Sequence, residues 1–274
     1  MKKKGSLVIV GTGIRTAGQL TTDAIACIRD ADKVLYVLSD RTAESVIRRL
    51  NPAGAESLET LYRDGKARIE TYREMIERMV TCVYEGMRTV TAFYGHPGVF
   101  AYAPHAALRR LREEGYEAIM LPGISAEDCL FADLGLDPST YGCQSHEATS
   151  LVVRRCKPDP GCALILWQVG VFGNHVFREN GYDLSGLHVL VDHLLQFYPG
   201  EHEVCVYEAA LFPGCSPRMD WVPLGRLTET KLHPASTLFV PPSVMPELDL
   251  DLMRRLGIPL FDASPGAAPN DTPS

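Results

Sequence analysis

Apolar residues in this chain follow two rhythms, and the switches between them mark out its elements. Ser6–Val10 is a short apolar run turned by Gly11-Thr-Gly13 and reads as a strand. Leu20–Asp30 reads as a helix, Val34–Leu38 as a second strand and Ala43–Leu50 as another helix. Glu70–Glu85 is a longer helix, because Ile69, Tyr72, Ile76, Met79 and Val83 fall at helical spacing and Gly86 stands where a left-handed cap is expected. Thr89-Val-Thr-Ala-Phe93 is rich in β-branched residues and reads as a strand buried on both faces, as in a parallel sheet. A helix over Tyr102–Glu114 and a strand over Glu117–Leu121 follow, and Ser125-Ala-Glu-Asp128 opens the next helix with a capping-box pattern. This alternation predicts an α/β fold with a parallel sheet.

The pattern changes in Asp137–Ser150, which is polar and rich in turn residues, so the expected boundary lies there. Beyond it come Cys162–Gln168, Leu187–Phe197, Glu203–Glu208, Arg218–Pro223 and Ser236–Val240, with strands dominating. The expectation is an N-terminal α/β half over 1–140 and a smaller, mixed α+β half over 141–261. Asp262–Ser274, rich in Pro, Ala, Asp and Ser, is expected to be a disordered tail. No internal repeat is visible.

Composition narrows the function classes. With 46% hydrophobic and 22% charged residues among 274, the chain is of ordinary globular type and long enough for a substantial core. A net charge of -7 argues against a nucleic-acid binder that tracks phosphates. No apolar run reaches the length of a membrane span, and Leu7–Val10 after the basic start is too short for a signal-peptide core. None of the 8 cysteines forms a CxxC pair, and no Cys/His cluster has zinc-site spacing. Buried thiols in a reducing, cytoplasmic setting fit that usage, and no metal is expected.

Candidate chemistry gathers at strand ends. Tyr94-Gly-His-Pro-Gly-Val-Phe100 closes the Thr89–Phe93 strand with two glycines and a proline, a rigid turn whose bare backbone lets a ligand lie on main-chain groups. Tyr94 and His96 add flat and hydrogen-bonding surface there. Gly11-Thr-Gly13 lacks the third glycine of a dinucleotide fingerprint, since Thr16 stands in its place, Gly18 is two residues late and Asp40 is only loosely spaced as a ribose acid. That leaves a tight turn or a ligand turn. Leu121-Pro-Gly-Ile-Ser-Ala126 reads equally as a plain βα connection capped by Ser125 or as a ligand site. Trp167-Gln168, Tyr207-Glu-Ala209 and Pro234-Ala-Ser-Thr237 are each more often packing than chemistry, and their interest lies in combination. Arg68 and Tyr72, four apart, share a helix face, and a guanidinium near a phenol favours phenolate. Tyr62 precedes them in the loop Tyr62–Lys66. The competing reading is a core tyrosine with an arginine partner.

Together these segments resemble the tetrapyrrole methylase fold of S-adenosylmethionine-dependent methyltransferases. Gly11-Thr-Gly13, Tyr94-Gly-His-Pro-Gly98 and Leu121-Pro-Gly-Ile-Ser125, in order, carry that resemblance. Within the fold the chain is similar to borosin peptide backbone α-N-methyltransferases. Tyr62, Arg68-Ile-Glu-Thr-Tyr72, Tyr94–Phe100 and Pro122-Gly-Ile-Ser-Ala-Glu127 bear this likeness, with Asp133-Leu-Gly-Leu-Asp-Pro138, Gln144-Ser-His-Glu147, Trp167-Gln168 and Tyr207-Glu-Ala209. It extends over roughly residues 5–260. Some borosin enzymes carry their substrate as a C-terminal extension; here a short polar tail follows Phe261, which resembles the split type acting on a separate precursor polypeptide.

The resemblance implies S-adenosylmethionine between the two halves and S-adenosylhomocysteine as product. The residues it assigns to the cofactor are Gly11, Tyr94, His96, Val99, Phe100, Ser125, Ala126, Gln168, Tyr207, Ala209, Ser236 and Thr237. It makes Tyr72 the base, Arg68 its partner and Tyr62 the group that orients the substrate carbonyl, with the two tyrosines interchangeable. It also implies a homodimer, a heterotetramer with the precursor, and no nucleic acid or membrane partner. A C-methyltransferase of corrin or porphyrin precursors would need a basic cleft for its carboxylates, which the acidic balance disfavours. A non-catalytic sensor of a nucleotide-like ligand is the reading from a different class.

Overall fold

The computed structural model describes residues 4–259. Its first half begins with β1 (Ser6–Gly11), α1 (Thr16–Gln19), α2 (Thr22–Asp30), β2 (Lys33–Val37), α3 (Arg41–Leu50) and β3 (Ala55–Ser57). It continues with α4 (Arg68–Tyr84), β4 (Arg88–Phe93), α5 (Tyr102–Glu113) and β5 (Glu117–Met120). The five strands form one parallel sheet in the order β3-β2-β4-β1-β5, with Val8 opposite Val90 and Ile9 opposite Met120. Alternation sorts the side chains. Leu7, Ile9, Leu35 and Val37 face α4 and α5, while Val10, Val34 and Tyr36 face α2 and α3. Each of these buried aliphatics contributes roughly 1.5–3 kcal/mol.

Sequence signals set the helix starts. Thr21 caps α2 by accepting from the Ala24 amide, and Asp40 caps α3 by accepting from the Thr42 and Ala43 amides. The helix expected from Leu20 therefore begins only after its cap, and α1 precedes it. Asp40, considered above as a ribose acid, is occupied as a cap.

α6 (Ala126–Leu134), α7 (Pro138–Tyr141), β6 (Cys143–Glu147), α8 (Ala148–Val153), β7 (Ala163–Trp167) and α9 (Leu187–Leu194) lead into the second sheet. β8 (Glu203–Glu208), β9 (Arg218–Pro223), β10 (Thr237–Val240) and α10 (Leu250–Leu256) complete the described chain. The second sheet has the order β6-β7-β10-β8-β9, with only β6 and β7 parallel. The polar stretch read as a boundary thus contains α7, an edge strand and the start of α8. Cys143-Gln-Ser-His-Glu147 is partly exposed, so it never shows the apolar run of a central strand. α8 and α9 cover one face of this sheet, and α6 covers the other through Leu130, against Ile165, Tyr207 and Phe239. The tail expected over Asp262–Ser274 lies outside the described residues.

Candidate active site

Three turns at the C-terminal ends of β1, β4 and β5 touch backbone to backbone. A Cβ on Gly11 would sit 2.3 Å from the Gly95 carbonyl oxygen and 2.9 Å from the Gly123 Cα, so only glycine allows the contact. Gly13 and Gly95 pair across it, with the Gly95 amide donating to the Gly13 carbonyl at 2.9 Å. The shelf after β4 is set by short-range bonds. The Gly98 amide donates to His96 Nδ1 at 3.0 Å, which leaves the proton of a neutral His96 ring on Nε2. His105 Nε2 lies 2.9 Å from the Gly98 carbonyl. Ser125 caps α6 in a full capping box with Asp128, accepting from its amide at 3.2 Å and donating to its carboxylate at 2.7 Å. The cap reading of Ser125 therefore holds, and its backbone stands beside the Gly123 turn.

In the second half, Gln168, Tyr207, Glu208, Ala209 and Thr237 gather at one end of β7, β8 and β10, where Thr237 pairs with Tyr207. The two ends meet through Phe100, whose ring centroid lies 5.5 Å from that of Trp167. Phe100 (φ 50°) and Gln168 (φ 61°) are two of the three non-glycine residues in the left-handed region among the described residues. Each such residue costs about 1–2 kcal/mol, and strain of this kind collects at functional sites. Tyr207 lies deeper. Its ring is fully buried and its hydroxyl donates to Asp133 at 2.7 Å, so its side chain belongs to the packing of α6. The Ser236 hydroxyl is likewise spent on Glu208, at 2.6 Å. A cavity of about 380 Å³ opens nearby, lined by Arg15, Ile124, Asp128, Cys129, Ala209 and Pro217.

Tyr62, Arg68 and Tyr72 converge as their spacing suggested. The loop from Tyr62 folds back because Lys66 donates to the Leu61 carbonyl at 2.9 Å and pairs with Glu74 of α4 at 2.6 Å. Arg68 and Tyr72 occupy the first two turns of α4. Burial pushes the Tyr72 phenol above its ordinary value, opposed by the Arg68 guanidinium and by a hydrogen bond from Tyr62. Burial raises Tyr62 too, and Tyr72 and Tyr94 add to the rise. Tyr94 is half-exposed, and desolvation pushes its phenol up, with Tyr72 adding to the rise and Arg68 opposing it. The shelf and the tyrosine cluster therefore share one space. The Arg68 effect expected from sequence has the right sign, but desolvation outweighs it.

The family described as Tetrapyrrole (Corrin/Porphyrin) Methylases matches residues 6–214. The chain belongs to the tetrapyrrole methylase family. The chain is 40% identical over 284 residues to a methyltransferase/ribosomally synthesized type I borosin cyclic peptide precursor of Coprinopsis marcescibilis, covering 97% of this chain and 72% of that one. That likeness puts it in the borosin branch. It is 42% identical over 258 residues to the dendrothelin A precursor methyltransferase of Dendrothele bispora, and 43% identical over 258 to the omphalotin A precursor methyltransferase of Omphalotus olearius. It covers 93% of itself and spans only 62% of the length of each. In structure it is similar to uroporphyrin-III-C-methyltransferase from Thermus thermophilus, with a TM-score of 0.62 at 19% identity over 94% of this chain and 99% of that one. The expected fold is the observed one.

Sequence reasoning missed part of the candidate site. Phe177 and Tyr182 arrive from the second half, with ring centroids 4.9 Å apart for Phe177 and Tyr62, and the Arg68 guanidinium 5.0 Å over the Tyr182 ring. Glu208 gathers Arg218 at 2.7 Å, His233 at 3.1 Å and Ser236, and its carboxyl is held below the usual range by those bonds despite burial. The signal for Glu208 was its place at the end of β8, whereas Phe177 and Tyr182 lie in the loop between β7 and α9, where no pattern marks them.

Proposed function

We propose that the space between residues 1–140 and 141–261 binds S-adenosylmethionine, and that this methylase transfers its methyl group to backbone amides of a precursor peptide supplied as a separate polypeptide. The observation that carries the reading is the convergence of Tyr62, Arg68, Tyr72 and Tyr94 beside the Gly95–Phe100 shelf. The residues present suit such a cofactor. Gly95 takes a positive φ of 70°, which glycine adopts freely, and so holds the turn that carries the half-buried His96 and the exposed Tyr94. Phe100, Trp167 and Tyr94 offer aromatic faces for a flat base and a cation. Tyr94, His96, Val99, Phe100, Ser125, Ala126, Gln168, Ala209 and Thr237 would hold it, Tyr207 only through its backbone, and Gly11 and Ser236 by shaping the turns. When bound, the sulfonium supplies an electrophilic methyl group for in-line transfer.

The chain's own residues meet the harder demand. An amide nitrogen shares its lone pair with the carbonyl, so it is a poor nucleophile and its proton a weak acid. Tyr62 stabilises the substrate carbonyl oxygen as it gains charge. Tyr72 takes the amide proton onto its phenolate oxygen, and the Arg68 charge stabilises that phenolate.

The reading includes a homodimer in which one subunit covers the other's site, a heterotetramer with the precursor, and a reducing cytoplasmic setting that leaves the cysteines as thiols. Neither nucleic acid nor membrane takes part. The test is incubation with labelled S-adenosylmethionine and a polypeptide ending in a Val/Ile/Leu-rich segment. The expected product gains whole methyl units, placed on backbone nitrogens by fragmentation. Label on a tetrapyrrole instead, or no calorimetric binding of the cofactor, would overturn the reading.

A further inference from the structure

We propose that residues 174–183 are a positioning arm from the second half, in which Tyr182 is the platform that fixes Arg68 and Phe177 the wall that fixes Tyr62. The inference rests on the reading of Tyr62, Arg68 and Tyr72 as the reacting groups, and goes beyond it by adding the residues that aim them.

The arm pairs with the approach to α4. The Gly65 amide donates to the Phe177 carbonyl at 2.9 Å, the Phe177 amide to the Lys66 carbonyl at 2.8 Å, and Ala67 bridges Val176 in antiparallel sense. Asp64 accepts from the Glu179 amide and from Arg178, both at 3.2 Å. The next bond bears directly on Arg68. α4 has no side-chain cap, since Ala67 occupies that position. Its first amide, that of Arg68, donates instead to the His175 carbonyl at 3.0 Å. A backbone group of the second half thus caps the helix that carries Arg68 and Tyr72.

The arm is closed on itself. Asn174 Nδ2 donates to the carbonyls of Phe172 and Asp183, at 2.9 and 2.8 Å, and so ties its two ends. The Tyr182 hydroxyl accepts from the Arg178 amide at 3.3 Å, which sets the ring's orientation. That ring then lies 5.0 Å beneath the Arg68 guanidinium. No carboxylate pairs with Arg68 among the described residues, so its charge is held by an aromatic face and stays directed at the phenols. An ion pair with Asp or Glu would have blunted that field. The charged or titratable groups that Tyr72 senses are Arg68, Tyr62 and Tyr182, and Tyr94 senses Tyr72 in turn.

Tyr182→Leu removes the platform, and Tyr182→Phe keeps it while removing the hydroxyl. The comparison of the two isolates the ring's hold on Arg68, because both lack the Tyr182 phenol that itself raises Tyr72. The first readout needs no activity. The Tyr72 resonance in protein labelled at tyrosine Cζ, assigned by its absence in Tyr72→Phe, is followed against pH. Relative to Tyr182→Phe, Tyr182→Leu is expected to move this ionisation about one pH unit upward. The second readout is methylation of the Val/Ile/Leu-rich polypeptide, where kcat should fall about tenfold between the two variants with KM nearly unchanged. Identical Tyr72 titrations in the two variants would overturn the proposal. If Tyr182→Leu does not fold by circular dichroism, Tyr182→Met carries the same expectations. A wild-type protein that binds no S-adenosylmethionine, alongside the expected separation of titrations, would sink the assigned activity and leave the platform standing.

Discussion

Tyr72 sits in a conflict that its neighbours only partly resolve. Burial favours the neutral phenol, and Arg68 with Tyr62 favours the phenolate. The net shift is upward, so at neutral pH the base form is a small fraction, and it grows about tenfold per pH unit until the phenol titrates. With Tyr72 as base, kcat should therefore rise with pH through the neutral and mildly alkaline range, measured under saturating substrate. A profile that is flat there would reject the assignment. Tyr72→Phe should keep calorimetric affinity for S-adenosylmethionine and lose turnover by about 10²–10⁴-fold. The residues of this cluster differ in how visible they were. Arg68 and Tyr72 share a helix face at i,i+4, a relation that any helical reading exposes. Tyr182 meets Arg68 across more than a hundred residues, and no periodicity encodes a contact between a loop and a distant helix. Tyr207 misled in the other direction: its motif lies at the correct strand end, but its ring turns into the core and bonds to Asp133.

Among the elements, β3 is an edge strand of only three residues, and side-chain charge does much to hold it. Glu56 accepts from both Arg78 Nε and Nη2 of α4 at 2.7 Å and also pairs with Lys33 of β2. Bonds from Arg78 and Lys33 lower its carboxyl from 4.5 to about 2 against the opposing effect of burial. A depressed carboxyl adds stability above its unfolded value and loses it as pH falls through the folded one. Glu56→Gln should thus lower the melting temperature at pH 7, and the gap to wild type should close between about pH 4.5 and 2. Thermal melts across that window check this; a gap independent of pH would show that shape, not charge, matters at Glu56. Such short or polar strands are what pattern reading misses. β3 offers too few residues for alternation, and β6 is partly exposed, whereas the central strands announced themselves through continuous apolar runs.

Two sheets of different construction make up the whole molecule, and their joins are local: Phe100 on Trp167, Leu130 of α6 on the second sheet, and the arm on the approach to α4. The parallel half was legible because βα alternation is written in periodicity. The joins were not, because each depends on single side chains meeting across the fold. The proposed homodimer belongs to this scale. Sedimentation velocity at micromolar concentration should give a single dimeric species, and a monomer would remove the idea that one subunit covers the other's site.

The His175 carbonyl that receives the Arg68 amide also has a consequence for biosynthesis. Translation delivers Tyr62, Arg68 and Tyr72 more than a hundred residues before the loop 174–183 that meets them. An emerging polypeptide on the ribosome therefore carries the first turn of α4 without the strap that caps it. The start of α4 gains its backbone cap only when that later segment has docked.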